Sequence, residues 1–65
     1  MEKQLEVWKE NRKKLILVLQ EGNFTYSLKG FLKDFSEGEI ILETKGLIQI
    51  LNRKFIIKIK EVQDD

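Results

Sequence analysis

The side chains of this chain best suited to chemistry are cations and aromatic rings. Lys29, Phe31, Lys33 and Phe35 fall two residues apart. On a β-strand that spacing puts all four on one face. Rings interleaved with ammonium groups make a stacking strip for single-stranded nucleic acid. The same pattern also suits rings packed in a core or subunit contact with lysines at the rim, and both readings stand at this stage. Arg53 and Lys54 form a second basic pair beside a short turn.

Catalysis has much less to draw on. The sequence contains no His and no Cys, which removes the usual base near neutral pH, the thiolate nucleophile, and metal sites built on either. Glu37 and Glu39 are one residue apart and could pair only if they lay on a strand. The four glycines are scattered, so no loop cradles phosphate. The expectation is a binding protein, not an enzyme, with no cofactor, no metal and no small-molecule substrate.

The element that must position the Lys–Phe strip is one long strand over residues 24–35, interrupted by Gly30. Phe24, Tyr26 and Leu28 carry its apolar face before the glycine. A glycine inside a strand marks a sharp bend or a close backbone approach. A strand bent in the middle can serve two halves of a sheet, which is how a small barrel closes on few strands. Around it the pattern predicts a helix from Glu2 to about Arg12, with Leu5 and Trp8 on one face and Glu10 placed to pair with Lys14 if the helix runs that far. Trp8 fits a plug over the core or, less simply, a ligand-stacking ring.

Strands are predicted over residues 15–19, 39–44, 47–51 and 54–60, joined by turns at 21–23, 36–38, 45–46 and 52–53. The first is apolar at every position, so both its faces need cover. In the last, Phe55, Ile57 and Ile59 alternate with Lys54, Ile56, Lys58 and Lys60. The first group is expected to face inward. The reading is mainly β: an N-terminal helix and a five-stranded, strongly bent antiparallel meander forming a small SH3-like barrel. It forms one domain over residues 1–65, with helix over 1–13, barrel over 14–62 and a frayed tail at 63–65.

Charged residues make up 35% of the chain yet nearly cancel, to +1. This is not a globally basic nucleic-acid binder. No stretch approaches the roughly 20 apolar residues of a membrane span, and no signal-peptide pattern is seen. A cytoplasmic protein with no membrane partner is expected. A 65-residue chain without disulfides or a metal has a marginal core, and self-association is the remedy left to it.

Leu28-Lys29-Gly30-Phe31-Leu32-Lys33-Asp34-Phe35-Ser36, followed by the apolar strand Ile40-Ile41-Leu42, resembles the first motif of the Sm-like family, which includes the Sm and LSm proteins and Hfq. Leu51-Asn52-Arg53 stands where the second motif falls. The resemblance implies a homo-oligomeric ring of six or seven subunits that binds single-stranded RNA. Ser36, Glu39 and Asn52 would then join Lys29, Phe31, Lys33, Phe35, Arg53 and Lys54 as candidate RNA-binding residues, with Arg53 and Lys54 repeated around a pore as a phosphate-attracting collar. Family rings join the fourth strand of one subunit to the fifth of the next. That marks Leu47, Ile48, Ile50, Ile56 and Lys58 as candidate interface residues. The alternative is a structural or protein-binding barrel module without an RNA site. Ser36, Gly38, Glu39 and Asn52-Arg53 are not the family's usual ligand residues, which favours it.

Overall fold

The start of the chain is charged and nearly free of β-branched residues, and it forms helix α1 (Glu2–Asn11). Arg12 ends it by adopting a left-handed φ of 52°. The Arg12 amide donates to the Lys9 carbonyl and the Lys13 amide to the Trp8 carbonyl, the paired closure that satisfies the last carbonyls of a helix. The helix therefore stops short of Lys14, and the expected Glu10–Lys14 pair on one helix face does not form.

In the computed structural model, which describes residues 2–63, five strands follow: β1 (Lys14–Glu21), β2 (Phe24–Phe35), β3 (Glu39–Thr44), β4 (Leu47–Asn52) and β5 (Ile56–Glu61). Of the expected frayed tail, residues 64–65 lie outside the described residues. One sheet holds all five strands in the order β4-β3-β2-β1-β5. The meander holds from β1 to β4. A single 3-10 turn, η1 (Arg53–Phe55), then carries the chain across so that β5 pairs antiparallel with β1. The sheet is strongly bent but not closed, and β4 and β5 are its two edges.

Close backbone approach is what requires Gly30. A Cβ there would overlap the carbonyl oxygen of Glu43 and lie 3.0 Å from Thr44 Oγ1. Up to Gly30, β2 pairs only with β1. Phe31 pairs with both β1 and β3, and beyond it β2 pairs with β3. The β3–β4 turn is a second place where conformation selects the residue, since Lys45 and Gly46 both have positive φ, as a two-residue hairpin of the primed type requires.

Leu15, Leu17 and Leu19 of β1, Leu32 of β2, and Ile40 and Leu42 of β3 build the core, and Leu5 and Trp8 cap it from the helix. Trp8 is thus the plug, and its Nε1 donates to Glu61 Oε2 at 3.0 Å. The helix covers only one of the two apolar faces of β1, leaving Ile16 and Val18 half-buried on the other.

Two expectations about side-chain direction fail here. Phe24 and Tyr26 are not core residues: Phe24 is 77% exposed, and the Tyr26 hydroxyl donates to Glu21. Pairing of β5 with β1 ends at Leu19 and that of β3 with β2 begins at Phe31, so the tip of the β1–β2 hairpin runs past the core. In the last segment Phe55 and Ile59 pack inward as expected, but Ile56 and Ile57 exchange places. Ile56 packs against the core, while Ile57 is 59% exposed. The cause is η1, which takes Lys54 and Phe55 out of the strand, together with a bulge. Val18 pairs with Lys58 and Leu19 with Ile56, so Ile57 is skipped.

Candidate nucleic-acid interface

The register fixes what lies on the outer face of β5-β1-β2. Leu15, Leu17 and Leu19 face the core, so Lys14, Ile16, Val18 and Gln20 face away from it. Opposite them on β2 are Phe31, Lys29, Ser27 and Thr25. On the other side Lys60 lies opposite Ile16, and Lys58 opposite Val18. Directly opposed residues have Cβ atoms about 5 Å apart. The result is one surface with Lys14, Lys29, Lys58 and Lys60 exposed around half-buried Ile16, Val18 and Phe31. No acid occupies any of these positions, and none of the four lysines makes an ion pair among the described residues. Glu43 borders the face opposite Phe31, and Lys33 holds it at 3.3 Å.

The four-residue strip does not survive intact. Lys29 and Phe31 belong to the outer face, but the register shifts between Leu32 and Asp34. That bulge turns Phe35 to the opposite side, where it pairs with Ile40 and packs on the core. Lys33, in the bulge, directs its charge to Glu43. A one-residue insertion flips every side chain beyond it.

The remaining candidates gather at a second place, where the turn after β2 meets the turn after β4. Glu39 pairs with Asn52 across β3–β4. The Ser36 amide donates to the Glu39 carbonyl at 2.9 Å, and the Glu39 amide to Ser36 Oγ at 3.2 Å. Asn52 Oδ1 accepts from the Lys54 amide at 3.1 Å and so caps η1. Ser36 and Asn52 thus use their side-chain acceptors to hold the turns. The Arg53 amide donates to the Gly38 carbonyl at 2.9 Å. The Arg53 guanidinium donates through Nη1 to the Ser36 carbonyl and through Nη2 to Glu2 Oε1, each at 2.6 Å. Glu2 is held below the usual carboxylate range, chiefly by its hydrogen bond from Arg53, and Arg53 is raised in turn. Lys54 Nζ lies over the Phe55 ring, 5.1 Å from its centroid. The two cations expected to form an open pair are therefore unlike: Arg53 is engaged on both arms, and Lys54 rests on an aromatic face.

The helix is fastened to β2 as well. Lys9 Nζ pairs with Asp34 Oδ1 at 3.2 Å. Asp34 is held below its ordinary range first by the Phe35 amide and then by Lys9.

Of the interface candidates, Leu47, Ile48 and Ile50 of edge strand β4 are exposed. Ile50 lies opposite Ile41 on β3. Lys58 is exposed on the other edge strand, and Ile57 takes the outward place expected of Ile56. A shallow groove of about 140 Å³ along β5 is lined by Ile40, Arg53 and residues 56–59. Reading the sequence alone missed Lys14 and Lys60 as part of a basic face, the outward Ile57, and Glu2 as the partner of Arg53. The alternation of Lys58 and Lys60 was visible, but which strand lay beside them was not.

No protein-family model matches this chain, and no curated protein sequence matches it. Among solved structures the chain is similar to a crystal structure of the pleiotropic translational regulator Hfq, with a TM-score of 0.80 and 19% sequence identity. The match covers 89% of this chain and 92% of that one. The likeness shows the fold: an N-terminal helix and a strongly bent five-stranded antiparallel sheet of the Sm-like type.

Proposed function

We propose that the protein is a non-enzymatic binder of single-stranded RNA that acts in the cytoplasm as a homo-oligomeric ring. The observation that carries this reading is the outer face of β5-β1-β2, where no acid stands at the register positions of the described residues and Lys14, Lys29, Lys58 and Lys60 lie around Ile16 and Val18, with Phe31 beside Lys14 at the β2 edge. Ammonium groups track a phosphate backbone, and a ring tolerates any base stacked on it. The Sm-like fold, shared with a translational regulator, supports RNA as the polyanion.

Ring assembly is supported by the two edges. β4 and β5 both end an open sheet, and Ile48, Ile50 and Ile57 are exposed on them. Bare apolar edges invite strand addition. Addition of β4 of one copy to β5 of the next is head to tail, and such contacts close into rings. Six or seven copies is the number that the family resemblance implies. A ring would repeat the lysine face once per subunit and multiply the ammonium groups within reach of one RNA strand.

The second reading, a barrel that only assembles or binds protein, is favoured by one observation: Ser36, Asn52 and Arg53 direct their polar groups inside the molecule. Titration of labelled oligo(U) and oligo(A) at two salt concentrations separates the two. RNA binding should weaken steeply with salt. The combined change Lys29→Gln, Lys58→Gln and Lys60→Gln should flatten the log–log salt slope by about 0.7 for each phosphate left without its ammonium partner. No binding at low salt would select the second reading.

A further inference from the structure

We propose that Glu2 is a built-in competitor of phosphate for Arg53, so that the first turn of α1 masks the cation of the η1 turn until a polyanion displaces it. This rests on the RNA-binding reading above and adds a regulatory contact to it.

The two arms of the Arg53 guanidinium differ in kind. Nη1 is held by a backbone carbonyl, that of Ser36, at 2.6 Å. This arm fixes the group in place whatever happens at the other. Nη2 is held by the Glu2 carboxylate at 2.6 Å, and a carboxylate offers the oxygen geometry that a phosphate would supply in its stead. The Glu2 side chain is 58% exposed and the Arg53 side chain 21%. An ion pair open to water is weak, so a phosphate can replace it. Below Glu2 the helix is anchored separately, since Leu5 is fully buried. The first turn can therefore release its carboxylate while α1 stays docked.

The surroundings favour masking. Glu37 adds a second carboxylate whose charge reaches Arg53, and Glu39 lies in the same pair of turns, opposite Asn52. Lys54 points its ammonium over Phe55. In the resting molecule the turn is thus a neutralised patch, in contrast to the lysines of the outer sheet face, which make no ion pair among the described residues. A polyanion taking the Nη2 position of Arg53 must displace Glu2 from it. The turn then becomes a second binding point, open only to a ligand that outcompetes the chain's own acid.

The test compares wild type, Glu2→Gln, Glu6→Gln and the double change Glu2→Gln with Arg53→Gln. Glu6 is exposed on the same helix, makes no ion pair among the described residues, and its change alters net charge equally. Glu2→Gln should tighten oligo(U) binding roughly two- to fivefold at low salt, the span of a surface ion pair, and steepen the salt slope. Glu6→Gln should do less than Glu2→Gln, and the double change should lose the gain. Equal gains for Glu2→Gln and Glu6→Gln, or a gain that persists without Arg53, would overturn the proposal. A second readout needs no RNA and no change at Arg53: titration of inorganic phosphate followed by the NMR signal of the Arg53 guanidinium. The midpoint should move to lower phosphate in Glu2→Gln than in wild type, and identical midpoints would overturn the masking. If no variant binds RNA while the phosphate midpoints differ, the RNA reading fails and the masking stands.

Discussion

Replacing Gly30 with Ala tests the bend on which the sheet depends. The added Cβ would overlap the Glu43 carbonyl oxygen, a backbone atom of a residue fixed between Phe31 of β2 and Ile48 of β4. No rotamer change can relieve that overlap, so β2 and β3 must separate where their pairing begins. Overpacking costs about 1–3 kcal/mol, and a backbone neighbour puts this site at the upper end. Loss of glycine freedom in the unfolded chain returns about 0.4–1 kcal/mol, leaving a net loss of about 2–2.6 kcal/mol. A 65-residue domain has about 3–10 kcal/mol of stability in all. The melting temperature should fall by about 10–20 °C. Trp8 is the single tryptophan, buried, with its Nε1 bonded to Glu61, so its fluorescence reports thermal and urea unfolding. Gly38→Ala is the control, because no atom lies within 4 Å of a Cβ added there; it should be neutral or stabilising by up to about 1 kcal/mol. A Gly30→Ala midpoint within about 3 °C of wild type, or an equal drop for Gly38→Ala, would refute the close-approach argument.

Ile50→Lys, at an exposed edge position, should split the assembly by light scattering while changing protomer stability by no more than about 0.5 kcal/mol; an intact assembly would count against strand addition through β4. Ile56→Lys, at a residue packed on the core, should instead unfold the chain, which circular dichroism would report. Leu17→Ala, at a fully buried position, should cost about 2–5 kcal/mol in urea titrations. Asp34 and Glu2 have depressed carboxyl pKa values when folded, so the stability they add is present above about pH 4 and lost as pH falls below it through the folded values. Asp34→Asn should shrink the acid-side drop in melting temperature, and an unchanged drop would remove Asp34 as its cause.

The turns and strand spans were legible because local chemistry sets them. Residues 24–35 and 39–44 have the predicted bounds, and Lys45-Gly46 is the predicted hairpin. Facing was less legible wherever register slips. Strict alternation put Phe35 with Phe31 and Ile57 with Ile59, but one bulge near Lys33 and another at Ile57 reverse each pair. A bulge is decided by what the neighbouring strand offers, which the strand's own residues do not encode. The helix end at Arg12 was hard to place because a non-glycine residue fills the left-handed position. The basic face needed tertiary adjacency: Lys58 and Lys60 share a face with Lys29 only because β1 lies between β5 and β2 and pairs with both. Arg53 was visible as a cation, but its partner Glu2 lies 51 residues away in sequence.

The pairing of β5 with β1 sets a clock for the growing polypeptide. Every other ladder joins strands that are consecutive in the chain, so those hairpins can zip within microseconds of emerging. The β1–β5 ladder joins residues roughly forty apart, and closing so long a loop comes late. At roughly 5–20 residues per second, several seconds of translation separate β1 from β5. Throughout that interval the leucine-rich strand β1 has one bare edge, and Trp8 lacks its acceptor on Glu61. Until β5 docks, that bare edge of β1 is the one a second strand could pair with.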